Sequence, residues 1–152
     1  MGIKPEHLRE IITHILKEAD LHSLNAVELL MLTAAQESKL GYYWRQLGQG
    51  PARGIFQMEP ATEKSLWQNY LKYRPDKTAI IARYDTADED DLWWNLGYQI
   101  IIARMKYLPV PEALPNHFDV EGMAEYWKKY WNTYEGKGTV QEAILNYFEY
   151  CK

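Results

Sequence analysis

The 152 residues make one ordinary domain, 1–152, long enough to bury a core without a disulfide or a metal. With 47% hydrophobic and 25% charged residues the composition is that of a globular protein, and a net charge of −4 with no basic patch argues against nucleic acid or an anionic membrane surface as partner. No run of about 18 apolar residues offers a membrane span, the opening MGIKPEHLREIITHIL lacks the apolar centre of a secretory signal, and the single cysteine, Cys151, provides no disulfide framework.

Apolar residues recur at helical spacing through most of the chain. Leu8, Ile11, Ile12, Ile15 and Leu16, behind Pro5, predict a first helix with one buried face. Asn25 and Glu28 resemble a capping box and open a second helix that runs through Val27, Leu30 and Ala34 to about Lys39, where Gly41 ends it. Residues 41–53 (GYYWRQLGQGPAR) read as a loop. Pro60 and Thr62 start a short helix through Leu66, Trp67 and Leu71, which Pro75 breaks. The acidic run 85–91 (DTADEDD) reads as a solvated loop before a long helix of about Leu92–Leu108, with at least one of Trp93 and Trp94 in the core. Three prolines between Pro109 and Pro115 force another loop. A helix of about Asp119–Trp131 buries Met123, Trp127 and Tyr130. Thr139 and Glu142 repeat the capping-box pattern ahead of Val140, Ala143, Ile144, Tyr147 and Phe148. Gly54–Met58 is the lone strand candidate, so the class is mainly α.

One acid stands out. Glu37 lies at the end of the otherwise apolar second helix, on the same face as Thr33 four residues earlier. Such a carboxyl can be aimed into a partly dry cleft, where loss of solvation raises its pKa toward the range a general acid needs. The plainer alternative is a solvated acid near a helix end, although a carboxylate there opposes the helix dipole.

Gln36-Glu37-Ser38, then Gly54-Ile55-Phe56-Gln57-Met58 and Pro60-Ala61-Thr62, resemble the soluble lytic transglycosylase family, whose pattern is Glu-Ser, Gly-Leu-Met-Gln and Pro-x-Thr. Asn95, Gly97 and Tyr98 resemble that family's Asn-x-x-x-Gly helix at shorter spacing. Tyr130-Trp131-Asn132 ahead of Gly136-Lys137-Gly138 resembles its Ala-Tyr-Asn-Ala-Gly block. The four blocks keep the family's order over about two thirds of the chain.

The resemblance implies a lysozyme-like, two-lobed helical domain with a glycan-binding cleft, acting on peptidoglycan strands. In it Glu37 protonates the oxygen between N-acetylmuramic acid and N-acetylglucosamine, then serves as base while the muramic 6-hydroxyl closes a 1,6-anhydro ring. Ser38 orients Glu37 or contacts substrate, and Gln57 and Met58 line the cleft. No cofactor or metal is implied. The family's tyrosine, which hydrogen-bonds the acid, aligns with Trp131, so that contact is either remade by Tyr130 or lost; Asn132 completes the block.

Other readings stay open. Tyr42, Tyr43 and Trp44 suit either sugar stacking at the cleft rim or closure of the core. Glu59 or Glu63 would supply the second carboxylate of a muramidase on the same fold, and a glycan-binding virion component would hold the strand without cutting it. His7, His14, His22 and His117 show no metal or triad spacing. The layout also resembles lysozyme-like proteins of tailed bacteriophages, which, with the absent signal sequence, suggests a virion-associated protein or one made in the host cytoplasm, with other virion proteins as partners, acting on the host wall.

Overall fold

The computed structural model describes residues 2–133 and 135–152. They form a mainly helical fold of eight α-helices: α1 (Pro5–Glu18), α2 (Leu24–Ser38), α3 (Pro60–Asn69), α4 (Pro75–Ile81), α5 (Asp91–Trp94), α6 (Leu96–Tyr107), α7 (Val120–Trp127) and α8 (Val140–Cys151). None of these helices is long and apolar enough to cross a membrane.

Helix α2 is the centre of the fold. It is apolar on every side, burying Val27, Leu29, Leu30, Met31, Leu32, Ala34 and Ala35, as a helix surrounded by others must. Helices α1, α6, α7 and α8 all pack on it, α8 along the greatest length. Its start is Ser23, whose side chain accepts from Ala26 N at 3.0 Å, and not Asn25. Asn25 instead accepts from His117 N, and Glu28 is taken by Arg9 and Tyr147. The amphipathic α1 buries Leu8, Ile12, Ile15 and Leu16 against this core and leaves Ile11 at its exposed edge.

The expected long helix over 92–108 is two pieces. Asn95 leaves the helical region between α5 and α6 and caps α6, its Oδ1 accepting from Tyr98 N at 3.1 Å while its amide donates to Tyr84 O. Neither Trp93 nor Trp94 joins the buried core; Trp93 lies half-buried beneath the Arg45 guanidinium and Trp94 is exposed. Pro75 does not merely interrupt α3; it opens α4, where a proline at the first turn loses no hydrogen bond. Near residue 128 the helical ladder widens into a π turn, Lys128–Asn132, continuing α7. Thr139 caps α8, accepting from Glu142 N at 3.1 Å, and Val140, Ala143, Ile144 and Tyr147 turn inward while Phe148 stays exposed.

Among the described residues no strand forms. The Gly54–Met58 segment is a tight loop held by two isolated bridges, Arg45 with Arg53 and Arg53 with Met58. Three neighbours fix it. Ser38 Oγ donates to Ile55 O at 2.6 Å, Ile55 N donates to Gln99 Oε1 at 2.7 Å, and Gly54 N donates to Trp44 O at 2.6 Å. Gly54 has φ of +78°, and a Cβ there would lie 2.5 Å from Gln99 Oε1 and 2.6 Å from the Leu92 carbonyl oxygen. Gly54→Ala therefore meets both a left-handed backbone and a fixed wall. It is expected to lower unfolding free energy by more than about 2 kcal/mol in urea titration; a loss under about 0.5 kcal/mol would show that the loop can move aside.

Candidate active site

The end of α2 and the loop after it form one side of a cleft of about 500 Å³. Glu37, Tyr43, Gln57, Met58, Trp131 and Asn132 line it, together with Glu59, Thr62 and Lys106. Three of the four sequence blocks, separated by up to about a hundred residues, thus meet around one carboxyl; the Asn95, Gly97 and Tyr98 block does not line the cleft, and Tyr98 faces Glu63 elsewhere.

Glu37 stands in the last turn of α2, half-buried. Lys39, Leu40 and Gly41 follow with φ of 54°, 58° and 81°, so the chain turns sharply away and leaves the carboxyl facing the cleft. The turn is closed by Lys39 N to Ala35 O and Leu40 N to Ala34 O, so the helix ends at Ser38, three residues before Gly41. Among the described residues Glu37 accepts one hydrogen bond, from Trp127 Nε1 at 3.0 Å. Loss of solvation raises its pKa from 4.5 to about 7, against the smaller opposing pulls of the Trp127 N–H and the Lys106 charge. At neutral pH the group holds its proton about half the time.

The partner of Glu37 is thus Trp127, in α7, and neither Trp131 nor Tyr130. The block that resembles the family's tyrosine motif lies in the π turn, where Trp131 instead stacks on Tyr107 and Phe56 with ring centroids 5.3 and 6.3 Å away. Trp131 remains a wall of the cleft. Asn132 also lines it, with its Oδ1 held by Lys128 Nζ at 2.7 Å. Lys128 spends its other donors on Gly136 O and Gly138 O, clamping the following segment over α7. A Cβ on Gly138 would meet the Trp127 ring at 2.6 Å, so this clamp packs directly on the residue that holds Glu37.

Ser38 does not reach the cleft. It is fully buried, its hydroxyl donating to Ile55 O and Ala34 O and accepting from Gly41 N at 2.8 Å. It orders the loop that carries Gln57 and Met58, and so acts on the site only through the backbone. Gln57 has φ of 49° and donates to Gly54 O at 2.8 Å, and Met58 is buried against the core with an edge in the cleft. The three adjacent aromatics divide. Tyr43 lines the cleft, Trp44 packs on the core with its Nε1 donating to Gly41 O, and Tyr42 is 59% exposed outside the cleft lining.

The two further acids part company as well. Glu59, which precedes α3, lines the cleft. Glu63 lies elsewhere, accepting from the Tyr98 hydroxyl beside Trp67 and Asp85, its pKa raised mainly by burial. Thr33, one turn before Glu37, is buried and satisfied, donating to Leu29 O and meeting the Tyr107 hydroxyl at 2.9 Å. Among the described residues no three His, Cys, Asp or Glu side chains are placed to hold a metal ion. His117 pairs with Asn25 and His14 with Glu18.

Lys106 is the residue sequence reasoning missed. Half-buried on α6, it donates to Trp131 O at 3.2 Å, and its Nζ sits 4.0 Å from the Trp131 ring centroid. Burial lowers its pKa to about 8, opposed by the charges of Glu37 and Glu59. A lysine in the last turn of a helix looks like an ordinary dipole partner, so its sequence position carries no flag. No protein-family model, characterised protein or solved structure matches this chain.

A half-dry carboxyl has a cost for the fold. Because the folded-state pKa of Glu37 lies above the unfolded value of 4.5, the native state binds the extra proton and loses stability as pH rises from 4.5 to about 7, where the loss levels off. Glu37→Gln, which can still accept from Trp127, is expected to melt above the wild type at pH 8, with a gain of at most about 3 kcal/mol that closes as pH falls toward 4.5. A variant that melts below the wild type at pH 8 would show that the carboxylate is stabilised by contacts other than these.

Proposed function

We propose that the protein is a peptidoglycan-cleaving glycosidase of the lytic transglycosylase kind, with Glu37 as its only proton-transfer group. The observation that carries the reading is Glu37 itself: a carboxyl lifted to about 7 by burial, in a cleft walled by the aromatic rings of Tyr43 and Trp131 and the amides of Gln57 and Asn132. Structural acids are usually paired, whereas this one faces the cleft and, among the described residues, forms no ion pair. The Tyr43 ring beside these amide groups suits a pyranose strand bearing N-acetyl groups, while Trp131, 7% exposed with Lys106 over its ring, serves as wall. The resemblance of the sequence blocks to the lytic transglycosylases supports the same reading, including a lysozyme-like division of the domain into two lobes around the cleft.

In this mechanism protonated Glu37 gives its proton to the glycosidic oxygen as the bond to muramic acid C1 breaks. The N-acetylglucosamine side leaves as an alcohol, and positive charge develops at C1. The Glu37 carboxylate then takes the proton of the muramic 6-hydroxyl as that oxygen attacks C1. A 1,6-anhydro ring forms, no water is consumed, and Glu37 ends as it began. One group with a pKa near 7 suits both halves, because it is neither too weak an acid nor too weak a base at neutral pH. Delivery to the wall as part of a phage particle, or release late in infection, is the biological setting the resemblance suggests.

The decisive experiment is digestion of purified peptidoglycan by the wild type and by Glu37→Gln, with released muropeptides read by mass spectrometry. Anhydro-muramic ends are expected from the wild type, and at least about a hundredfold fewer from the variant. Reducing ends that depend on Glu37 would instead identify a muramidase, with Glu59 as the carboxylate available in the same cleft. No release by either protein from several walls would leave a glycan-binding role. Turnover should fall as pH climbs through about 7, because the reaction starts from protonated Glu37; a rate that keeps rising to pH 9 would remove Glu37 as the acid.

A further inference from the structure

We infer that Lys106 is a positioning residue that decides when Glu37 holds its proton: its ammonium, docked on Trp131, is the one cation among the described residues lining the cleft. The inference deepens the catalytic reading above, and only its kinetic part rests on that reading.

The geometry separates Lys106 from an ordinary ion-pair partner. Its nearest contacts are the Trp131 carbonyl at 3.2 Å and the Trp131 ring at 4.0 Å, both belonging to the π turn. The ammonium is therefore fixed on the wall of the cleft that Glu37 also lines, with no ion pair or hydrogen bond to that carboxyl among the described residues, and it leaves the carboxyl free for a ligand. A fixed positive charge in a half-dry cleft favours the ionised acid, so Lys106 opposes what burial does. Without it Glu37 would keep its proton to higher pH, a weaker acid in the first half of the reaction and a stronger base in the second.

Trp127 of α7 gives Glu37 an N–H, and Tyr43 and Tyr107 face its charge, both with pKa raised by burial and so uncharged at neutral pH. Glu59, preceding α3, is the second acid that acts on Lys106 and helps keep it protonated. Among the described residues Lys106 is the cation whose charge favours the ionised form of Glu37. The cation thus lies under the influence of two acids that line the same cleft, one on α2 and one at the start of α3.

The test is direct titration of the Glu37 side-chain carboxyl carbon by NMR in glutamate-labelled protein. Wild type, Lys106→Met, Lys106→Gln and Lys106→Arg are compared, with circular dichroism to verify folding. The Met and Gln variants remove the charge, and Gln retains a donor for the Trp131 carbonyl should Met disturb the packing. In either neutral variant the Glu37 midpoint is expected to rise by about one pH unit, tenfold in the proton equilibrium, while Lys106→Arg stays near the wild type. A folded neutral variant whose Glu37 midpoint is unmoved, or an arginine variant that shifts like methionine, overturns the inference. The alkaline limb of the peptidoglycan-cleavage profile should move upward in step. A wild type that titrates near 7 and never cleaves removes the catalytic reading and leaves the role of Lys106 standing. Cleavage with an unmoved titration does the reverse.

Discussion

A carboxyl group drawn partly out of water at the end of an apolar helix is a standing electrostatic problem, and much of the molecule is arranged around it. Glu37 could escape desolvation if α2 frayed or if its last turn rotated. The buried faces of α2 prevent rotation, because α1, α6, α7 and α8 grip it from different sides. The turn at Lys39 and Leu40 prevents extension, since the chain leaves in a left-handed conformation that Ser38 locks from beneath. Two non-glycine residues in that region cost energy that only surrounding contacts can hold in place.

The opposite wall depends on the same fixed points. The peptide of Ile55 is gripped at its carbonyl by Ser38 and at its N–H by Gln99, so α2 and α6 jointly set where Gln57 and Met58 stand. Gln99 is in turn anchored to Trp93 O, which ties the loop to the break between α5 and α6. Lys128 performs a similar office on the far side through three bonds to Asn132, Gly136 and Gly138. The cleft therefore has walls built largely from loops, each fastened to a helix by a buried or part-buried polar side chain whose loss would leave backbone groups unpaired.

Much of this was legible in the chain. Helical periodicity located α1, α2, α3, α7 and α8, and the Glu-Ser and Gly-Ile-Phe-Gln-Met blocks located the acid and the loop beside it. Boundaries went astray where a polar side chain had two possible employments. Asn25 and Ser23 both suit a cap, and only tertiary contact with His117 assigns Asn25 elsewhere. Asn95 sits within continuous helical periodicity, so the break at that residue is invisible without the Tyr84 carbonyl it binds. Ser38 was legible as important but not as buried. The pattern places Trp127 in the core, where it lies, yet its N–H is the contact Glu37 uses; hydrophobic pattern does not reveal where one polar atom on a buried ring is aimed. The resemblance points instead to Trp131, whose ring lies in the π turn against Tyr107 and Phe56.

That π turn has an evolutionary consequence. A π turn carries one more residue than an α turn closing over the same span, so Lys128–Asn132 holds a removable unit of length inside an otherwise ordinary helix. Deleting one residue there would restore the common pitch and swing Trp131 and Asn132 by roughly 100° around the axis, carrying one wall of the cleft away. Trp127, upstream of the change, would stay on Glu37. The acid's holder and the cleft's aromatic wall are therefore separable heritable traits: one is written in the identity of a residue, the other in the count of residues that follow it.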